Sequence, residues 1–361
     1  GVVNGCPSHL LEPSRLQKVQ YSEDFSDASW IKSNSSITSN SVISPDGTLN
    51  ADKLISSLNT SIHYLSDVVS GASTNVNYTF SVFAKASEED ILAYRDSTYG
   101  QVSLFNLSNG TVVSGANHTS SIINYGNGWY RCITTSITSY SNVEVRISPR
   151  NYSSYLGNGT SGVYIYGAQL EQGSYPTSYI PNYGTSAGIT RSAETANGAG
   201  DASTFNSSEG VLMAEISALD NDLSNRILSL SNGAYNNSTR IGYNTTSNSI
   251  EYRVVSSSSI QAQLIYALPD IKTNNKISVK YKSNDFALWV NGFKVDTDPS
   301  GLTSIGLDRL NFDDGGGSAD FYGNIKQIQY FDSALNDSDL EKLTSWTSFT
   351  DLANGQLYSI K

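Results

Sequence analysis

Short runs in which apolar and polar residues alternate, each closed by turn residues, are the strongest constraint on what this chain can fold into. Examples are "YTFSVFAKA" (78–86), "QVSLFNL" (101–107), "WYRCITTSI" (129–137), "NVEVRIS" (142–148) and "GVYIYGAQLE" (162–171). Gly, Asn, Asp or Pro falls between them, as in "SPDG" (44–47) and "GNG" (126–128). A period of two places successive side chains on opposite faces of a strand, so each run covers a core with one face and meets water with the other. A second series follows: "NRILSLSN" (225–232), "TRIGYNT" (239–245), "SIEYRVVS" (249–256), "NKISVKYKS" (275–283) and "DFALWVNGFKVDT" (285–297). In the last, Asn291-Gly292 between alternating segments is a two-residue hairpin signal. Only "SALNDSDLEKLTSW" (333–346) reads as a helix, with Asn336 or Ser338 as its cap.

With 361 residues, two cores are expected rather than one. The predicted fold class is all-β: two antiparallel β-sandwich (jelly-roll) domains in tandem. Residues 1–20 are expected as a lead-in, 21–185 as the first sandwich, 186–207 as a small, polar linker, 208–346 as the second sandwich and 347–361 as a tail. Between Val163 and Thr185 the chain passes from a strand into "QGSYPTSYIPNYGT". Pro176 and Pro181 fix φ and remove two backbone donors, so Tyr175, Tyr179 and Tyr183 belong to an extended strap and not to a helix. We expect the strap's tyrosines to pack on the first sandwich.

The formal net charge of −11 sets this surface against phosphate backbones and anionic lipid, so neither nucleic acid nor a membrane is an expected partner. No apolar run reaches 18 residues. The single methionine is internal, which leads us to expect a fragment or a processed product. Cys132, in the alternating run "WYRCITTS", is either a buried free thiol or bridged to Cys6.

The motifs of catalysis are not found. His9, His63 and His118 form no HExxH or paired pattern, and no GxSxG elbow occurs. The run "EED" (88–90) reads as a solvated turn. Sugar recognition needs aromatic rings with polar side chains around them. Trp129 and Trp289 are read as packing residues. The saccharide candidates are Tyr94, Arg95 and Tyr99 in "AYRDSTYG", then Arg146, Arg150, Tyr152 and Tyr155 in "RISPRNYSSY". Tyr243, Tyr252 and Arg253 are the candidates in the second sandwich. "NFDDGGGSAD" places Asp313, Asp314 and Asp320 around a glycine run, either as calcium ligands or as a plain hairpin loop.

Two blocks resemble known families. "LLEPSRLQKVQYSEDFSDASWIK" (10–32), "ISPDGTLNADKL" (43–54), "NGWYR" (127–131) and "GAQLEQGSYPTSYIP" (167–181) are similar, in order and spacing, to the carbohydrate-binding-module-like jelly roll of tailed-phage structural proteins. The segment "SRLQKVQYSEDF" departs from that pattern at the entry to the first strand. The second block, "KISVKYKSNDFALWVNGFKV" (276–295) with "FYGNIKQIQYFDSALNDSDLEKL" (321–343), resembles the concanavalin A-like, laminin-G-type sandwich. The first resemblance implies a structural calcium near Glu23, Asp24 and Glu171. The paired acids of glycosidases related to the second, an Glu-x-Asp-x-x-Glu-like run, have no counterpart.

Together the resemblances imply a non-enzymatic virion protein of a phage tail, fibre or baseplate, binding host surface glycans and other virion proteins as a homo-oligomer, with a trimer expected. The alternatives are a purely structural decoration protein, a polysaccharide-degrading enzyme or its binding module, and an extracellular bacterial lectin.

Overall fold

A computed structural model describes residues 8–96 and 100–345. The described residues divide into two compact units: those of 14–192 form the first, and 8–13 with 193–345 the second. Cys6 and Tyr99 lie outside the described residues, as does the tail from 346.

The first unit is a pair of six-stranded antiparallel sheets. One runs, in spatial order, Thr111–Val113, Val102–Asn106, Ile91–Asp96, Asn142–Pro149, Tyr64–Ser70 and Ile31–Ser33. The other runs Thr119–Gly126, Trp129–Thr138, Val76–Ala86, Gly162–Gln172, Leu49–Ser56 and Ser35–Ile43. The inward faces meet through Phe80, Val82, Leu92, Tyr94, Val145 and Ile165. Phe80 and Tyr94 stack with centroids 4.9 Å apart, a geometry worth about 0.5–1.5 kcal/mol beyond the area buried.

The outward face of the second of these sheets carries a smaller cluster, Phe83, Trp129 and Tyr166. The Tyr/Pro strap closes over it. Tyr179 meets Phe83 edge-on at 6.0 Å and donates its hydroxyl to Ser22 Oγ at 2.7 Å and to Glu23 Oε1 at 3.1 Å. Tyr175 is buried beneath the Arg15 guanidinium, 5.2 Å from its ring. Tyr183 is the most exposed of the three, yet its hydroxyl also reaches Glu23. The strap thus joins strand Gly162–Gln172 to Arg15, Ser22 and Glu23.

The second unit pairs a six-stranded sheet with a five-stranded one, again antiparallel. The first is His9–Leu11, Gly323–Phe331, Glu209–Ala218, Asn275–Lys282, Phe286–Val290 and Phe293–Asp298. The second is Ser259–Ala267, Ser249–Ser256, Ser238–Tyr243, Arg226–Ser231 and Arg309–Asn311. Leu228, Ile241, Tyr252, Ile277, Leu288 and Phe321 fill the space between them. The Asn291-Gly292 turn has φ of 50° and 90°, the left-handed conformation that a tight hairpin needs and that Asn and Gly accept at least cost. Helix Asp337–Thr344 is capped by Asn336, whose side chain accepts from the Asp339 amide. Its Leu340 packs with Trp289 on the outward sheet face.

Two expected boundaries change. Residues 1–20 are no simple lead-in: His9–Leu11 is an edge strand of the second unit, paired with Gly323–Ile325, whereas Arg15–Gln17 pairs with Ile189–Arg191 in the first. Nor is 186–207 an unattached linker, since Gly198 and Ala199 bond to the Leu310 carbonyl. Segments this short hold too few apolar residues for periodicity to show. Among the described residues no helix is long and apolar enough to cross a membrane.

Candidate functional site

In the first unit, strand register sorts the candidate saccharide residues. Tyr94 lies opposite Ile147 and faces inward, buried against Phe80, so it is a core residue and not a ligand contact. Arg95 lies opposite Arg146, and both face outward. Arg95 sits 5.3 Å from the Tyr152 ring, and Arg146 lies 5.1 Å from the Tyr64 ring. Arg146 donates to both Glu144 oxygens, at 2.7 and 2.6 Å, and to the Tyr152 hydroxyl at 3.1 Å. Arg150 stacks on Tyr155 at 4.9 Å, and Tyr155 packs on His63 at 4.5 Å. The two predicted clusters therefore meet in part, but their polar groups are spent on one another. They hold loop 150–155 to the sheet.

The six acids considered for calcium are not brought together. Glu23 accepts from the hydroxyls of Tyr166, Tyr179 and Tyr183. Asp24 accepts from Ser26, and the fully buried Glu171 from Gln169 and Thr177. Asp313 accepts from Asn197 and the Gly315 amide, Asp314 from the Gly316 and Ser318 amides, and Asp320 from Tyr322. Each acid is an acceptor for its own turn or neighbour. Among the described residues no group of three or more His, Cys, Asp or Glu is placed to hold a metal.

One arrangement is invisible in the sequence. Ser103 Oγ lies 2.9 Å from His118 Nδ1, and His118 Nε2 lies 3.0 Å from Asp96 Oδ2. The order is that of a nucleophile, base and orienting acid. However, Ser103 is 0% exposed, and its oxygen also receives the Gly115 amide at 3.1 Å. No substrate carbonyl reaches it, and the chain serves as a buried polar brace.

The second unit holds a different kind of place, on the outward face of its five-stranded sheet. Ile241 and Tyr243 join the core, so alternation turns Arg240 and Gly242 outward. Ile250, Tyr252 and Val254 do likewise on the next strand, which turns Glu251 and Arg253 outward. Register then builds two rungs across the sheet. Ser229, Arg240, Arg253 and Gln263 form one, and Ile227, Gly242, Glu251 and Ile265 the other. A pit of about 370 Å³ opens over these rungs, rimmed by Tyr235, Asn244, Thr245 and Asp314. Gly242 belongs at its centre because the strands approach too closely for a side chain: a Cβ there would meet the Arg226 carbonyl at 2.5 Å.

The electrostatics of the pit are unbalanced at Arg240. This residue is 3% exposed, and its Nε and Nη2 have no hydrogen-bond partner. Those two atoms are one edge of the guanidinium, the edge that takes a carboxylate through two parallel bonds. Its carbon lies 4.4 Å from the Tyr235 ring centroid. Arg240, through a hydrogen bond and its charge, lowers the Tyr235 phenol below its ordinary pKa, with Arg253 adding to the effect. Arg253 is paired with Glu251, which also accepts from Gln263 Nε2 at 2.9 Å, but its Nε is likewise unpartnered. Ser229 Oγ is a further buried group without a partner. Leaving such groups unpaired costs about 1–3 kcal/mol each, and more for a charge. An incoming oxyanion would offset that cost.

Of the three candidates named in this unit, Arg253 and Tyr243 line the pit. Tyr252 is buried in the core and bonds to the Lys280 carbonyl. The Tyr243 side chain is also buried, with its hydroxyl on the Ile216 carbonyl. Arg240, Glu251 and Tyr235 carry the site and were not singled out. The signal available was Arg240 in "TRIGY" and Glu251 in "EYRVV", charges next to Ile241, Ile250 and Tyr252, which face the core.

No family model matches the chain. No curated protein matches it either. Among solved structures, the CBM40 module of Ruminococcus gnavus IT-sialidase bound to α2,3-sialyllactose is 16% identical, with 42% of this chain and 97% of that one covered and a TM-score of 0.35. A native heptameric SAP-like pentraxin from Limulus polyphemus is 10% identical, covering 41% and 74%, with a TM-score of 0.33. Domains LG4-5 of the mouse laminin α1 chain are 10% identical, covering 77% and 89%, with a TM-score of 0.29. At these identities and scores nothing about a ligand passes from them to this chain, whose all-β sandwich architecture stands on its own strand pairing.

Proposed function

We propose that the second unit is a binding module for an acidic saccharide, whose carboxylate sits on the Nε/Nη2 edge of Arg240. The observation that carries this reading is the buried, unpartnered guanidinium edge at the floor of a pit of about 370 Å³. The remaining lining suits a sugar. The Tyr235 ring offers a flat apolar surface, Glu251 and Gln263 offer hydroxyl partners, and Ile227 and Ile265 offer contact for an acetyl or methylene group. A volume of this size takes one or two sugar residues, so affinity per site is modest and repetition on an oligomer would raise it by avidity. In the phage-tail setting that the sequence resemblance implies, this becomes adhesion to an acidic host glycan. A purely structural role leaves the unpaired guanidinium unaccounted for.

The test is titration calorimetry with 3′-sialyllactose, glucuronic acid and neutral lactose. Sialyllactose and glucuronic acid are chosen because each carries the carboxylate that the Arg240 edge would take, and lactose because it is sialyllactose without the acidic residue. Binding of at least one acidic sugar, none of lactose, and a loss of about tenfold or more in Arg240→Ala are expected. Equal binding of lactose, or no binding of any acidic sugar, would remove the proposal.

A further inference from the structure

The pit in the second unit holds an acid as well as the open arginine edge. Glu251 is neutralised by Arg253. Asp314 stands on the rim, and among the described residues no lysine or arginine forms an ion pair with it. Its Oδ1 accepts from the Gly316 amide at 2.9 Å and the Ser318 amide at 3.1 Å, and its own amide donates to the Ser318 carbonyl at 2.9 Å. The turn so formed is seated on the sheet. Gly315, at φ of 88°, lies so near the outward face of strand Arg226–Ser231 that a Cβ would meet Ser231 Cβ at 2.8 Å. A Cβ on Gly316 would lie 3.4 Å from that of Tyr235, the residue whose ring covers Arg240.

We propose that Asp314 sets the charge of the ligand: the pit takes a saccharide with a single negative charge and disfavours one with two, such as a sugar phosphate. The inference rests on the Arg240 reading and adds the ligand's charge to it. Arg240, Arg253, Glu251 and Asp314 sum to zero, so a monoanion on the Arg240 edge leaves the pit one charge negative and a dianion leaves it two. Held by its turn, the Asp314 carboxylate stays at the rim when the ligand enters. In a partly wet pit such an acid weakens a monoanion by about threefold and a dianion by about tenfold, because the Coulomb energy doubles with the ligand's charge. Arg240 alone would act in the opposite sense, since a guanidinium fork takes phosphate as well as carboxylate. Selection between partners needs a repulsive element beside the attractive one. Asp314 supplies it, whereas the charge of Glu251 is spent on Arg253.

Three derivatives of one sugar, altered at a single carbon, carry the test: glucuronic acid, glucose 6-sulfate and glucose 6-phosphate. They are titrated calorimetrically against the full chain at about pH 7.5, where the phosphate is close to doubly charged and the other two carry one charge. Glucuronic acid and the sulfate are expected to bind, with the phosphate about threefold or more weaker than the sulfate. Asp314→Asn keeps an oxygen for the two amides. It should gain about threefold for the sulfate and about tenfold for the phosphate, which closes the gap. Equal binding of sulfate and phosphate in the wild type, or equal gains in Asp314→Asn, would overturn the proposal. The Arg240 reading would survive that result if Arg240→Ala still lost both ligands. No binding of any of the three overturns the proposal whatever sialyllactose does. Should Asp314→Asn fail to fold, the wild type at about pH 5 takes its place, because the phosphate is then singly charged and must approach the sulfate in affinity. A gap as wide as before overturns the proposal equally. The sulfate keeps its charge at both pH values and so cancels any titration of Glu251, Asp314 or Tyr235 beside the two arginines.

Discussion

Arg240 and Arg253 stand directly opposite each other on adjacent antiparallel strands, both facing outward. Arg253 has Glu251 for a counterion, while the Arg240 fork is buried with two unpaired nitrogens. Like charges directly across a strand pair are destabilising. The arrangement therefore costs stability in the free protein, a cost that an oxyanion seated on the outward face over the two arginines would offset.

A substitution that removes the charge and keeps the stem should separate these effects. Arg240→Met is expected to leave the unfolding free energy unchanged within about 1 kcal/mol, or to raise it, because an unpaired buried charge is replaced by apolar volume. Acidic-sugar binding should be lost in the same variant. A drop of several kcal/mol in urea unfolding would show that the guanidinium is a structural strut.

The strap across the first unit makes a second prediction. Tyr179→Ala removes a ring packed on Phe83 and Tyr166 along with two hydroxyl bonds. A loss of about 2–4 kcal/mol is expected in the unfolding of this unit, against about 1 kcal/mol for Tyr179→Phe. Unchanged stability in Tyr179→Ala would contradict the clasp.

Acidity should act on the first unit in an uncommon direction. Burial pushes Asp52 and Asp67 up to about 6 from an unfolded value near 3.8. The folded state therefore binds these protons more tightly. The stabilisation they give is full below about pH 4 and is lost as pH rises through 6. Glu88, held at about 2 by Lys53, and Asp46, also lowered, act oppositely but only at lower pH. Stability is therefore expected to rise between pH 7 and pH 5, by about 1 kcal/mol per group. Asp67→Asn should flatten part of the rise. A steady fall over the same interval in denaturant titrations would refute it.

Ser103 offers a check on the buried triad. A fluorophosphonate probe should leave it unlabelled under native conditions, because the side chain is fully buried. Ser103→Ala should destabilise the unit by about 1–3 kcal/mol, since His118 and the Gly115 amide each lose a partner. Native labelling of Ser103 would require an opening that the fold does not show.

Alternation made the strands legible, and with them the two sandwiches and the Asn291-Gly292 hairpin. It did not reveal register, and register is what joins Arg95 to Arg146 and Arg240 to Arg253. Tyr94, Tyr243 and Tyr252 looked like ligand rings because tyrosine suits either face of a strand. Their neighbours two residues away, Leu92, Ile241 and Ile250, share the inward face and would have placed them in the core. The strand His9–Leu11 was not legible at all, since three residues carry no period and its partner lies more than three hundred positions away in sequence.

The most direct measurement follows the guanidinium itself. In ¹⁵N-detected NMR, the Arg240 Nε–H resonance should move on titration with 3′-sialyllactose and stay still with lactose, while the arginines of the first unit are unaffected. An Arg240 signal that ignores the acidic sugar, or moves equally with the neutral one, would contradict a carboxylate on its Nε/Nη2 edge.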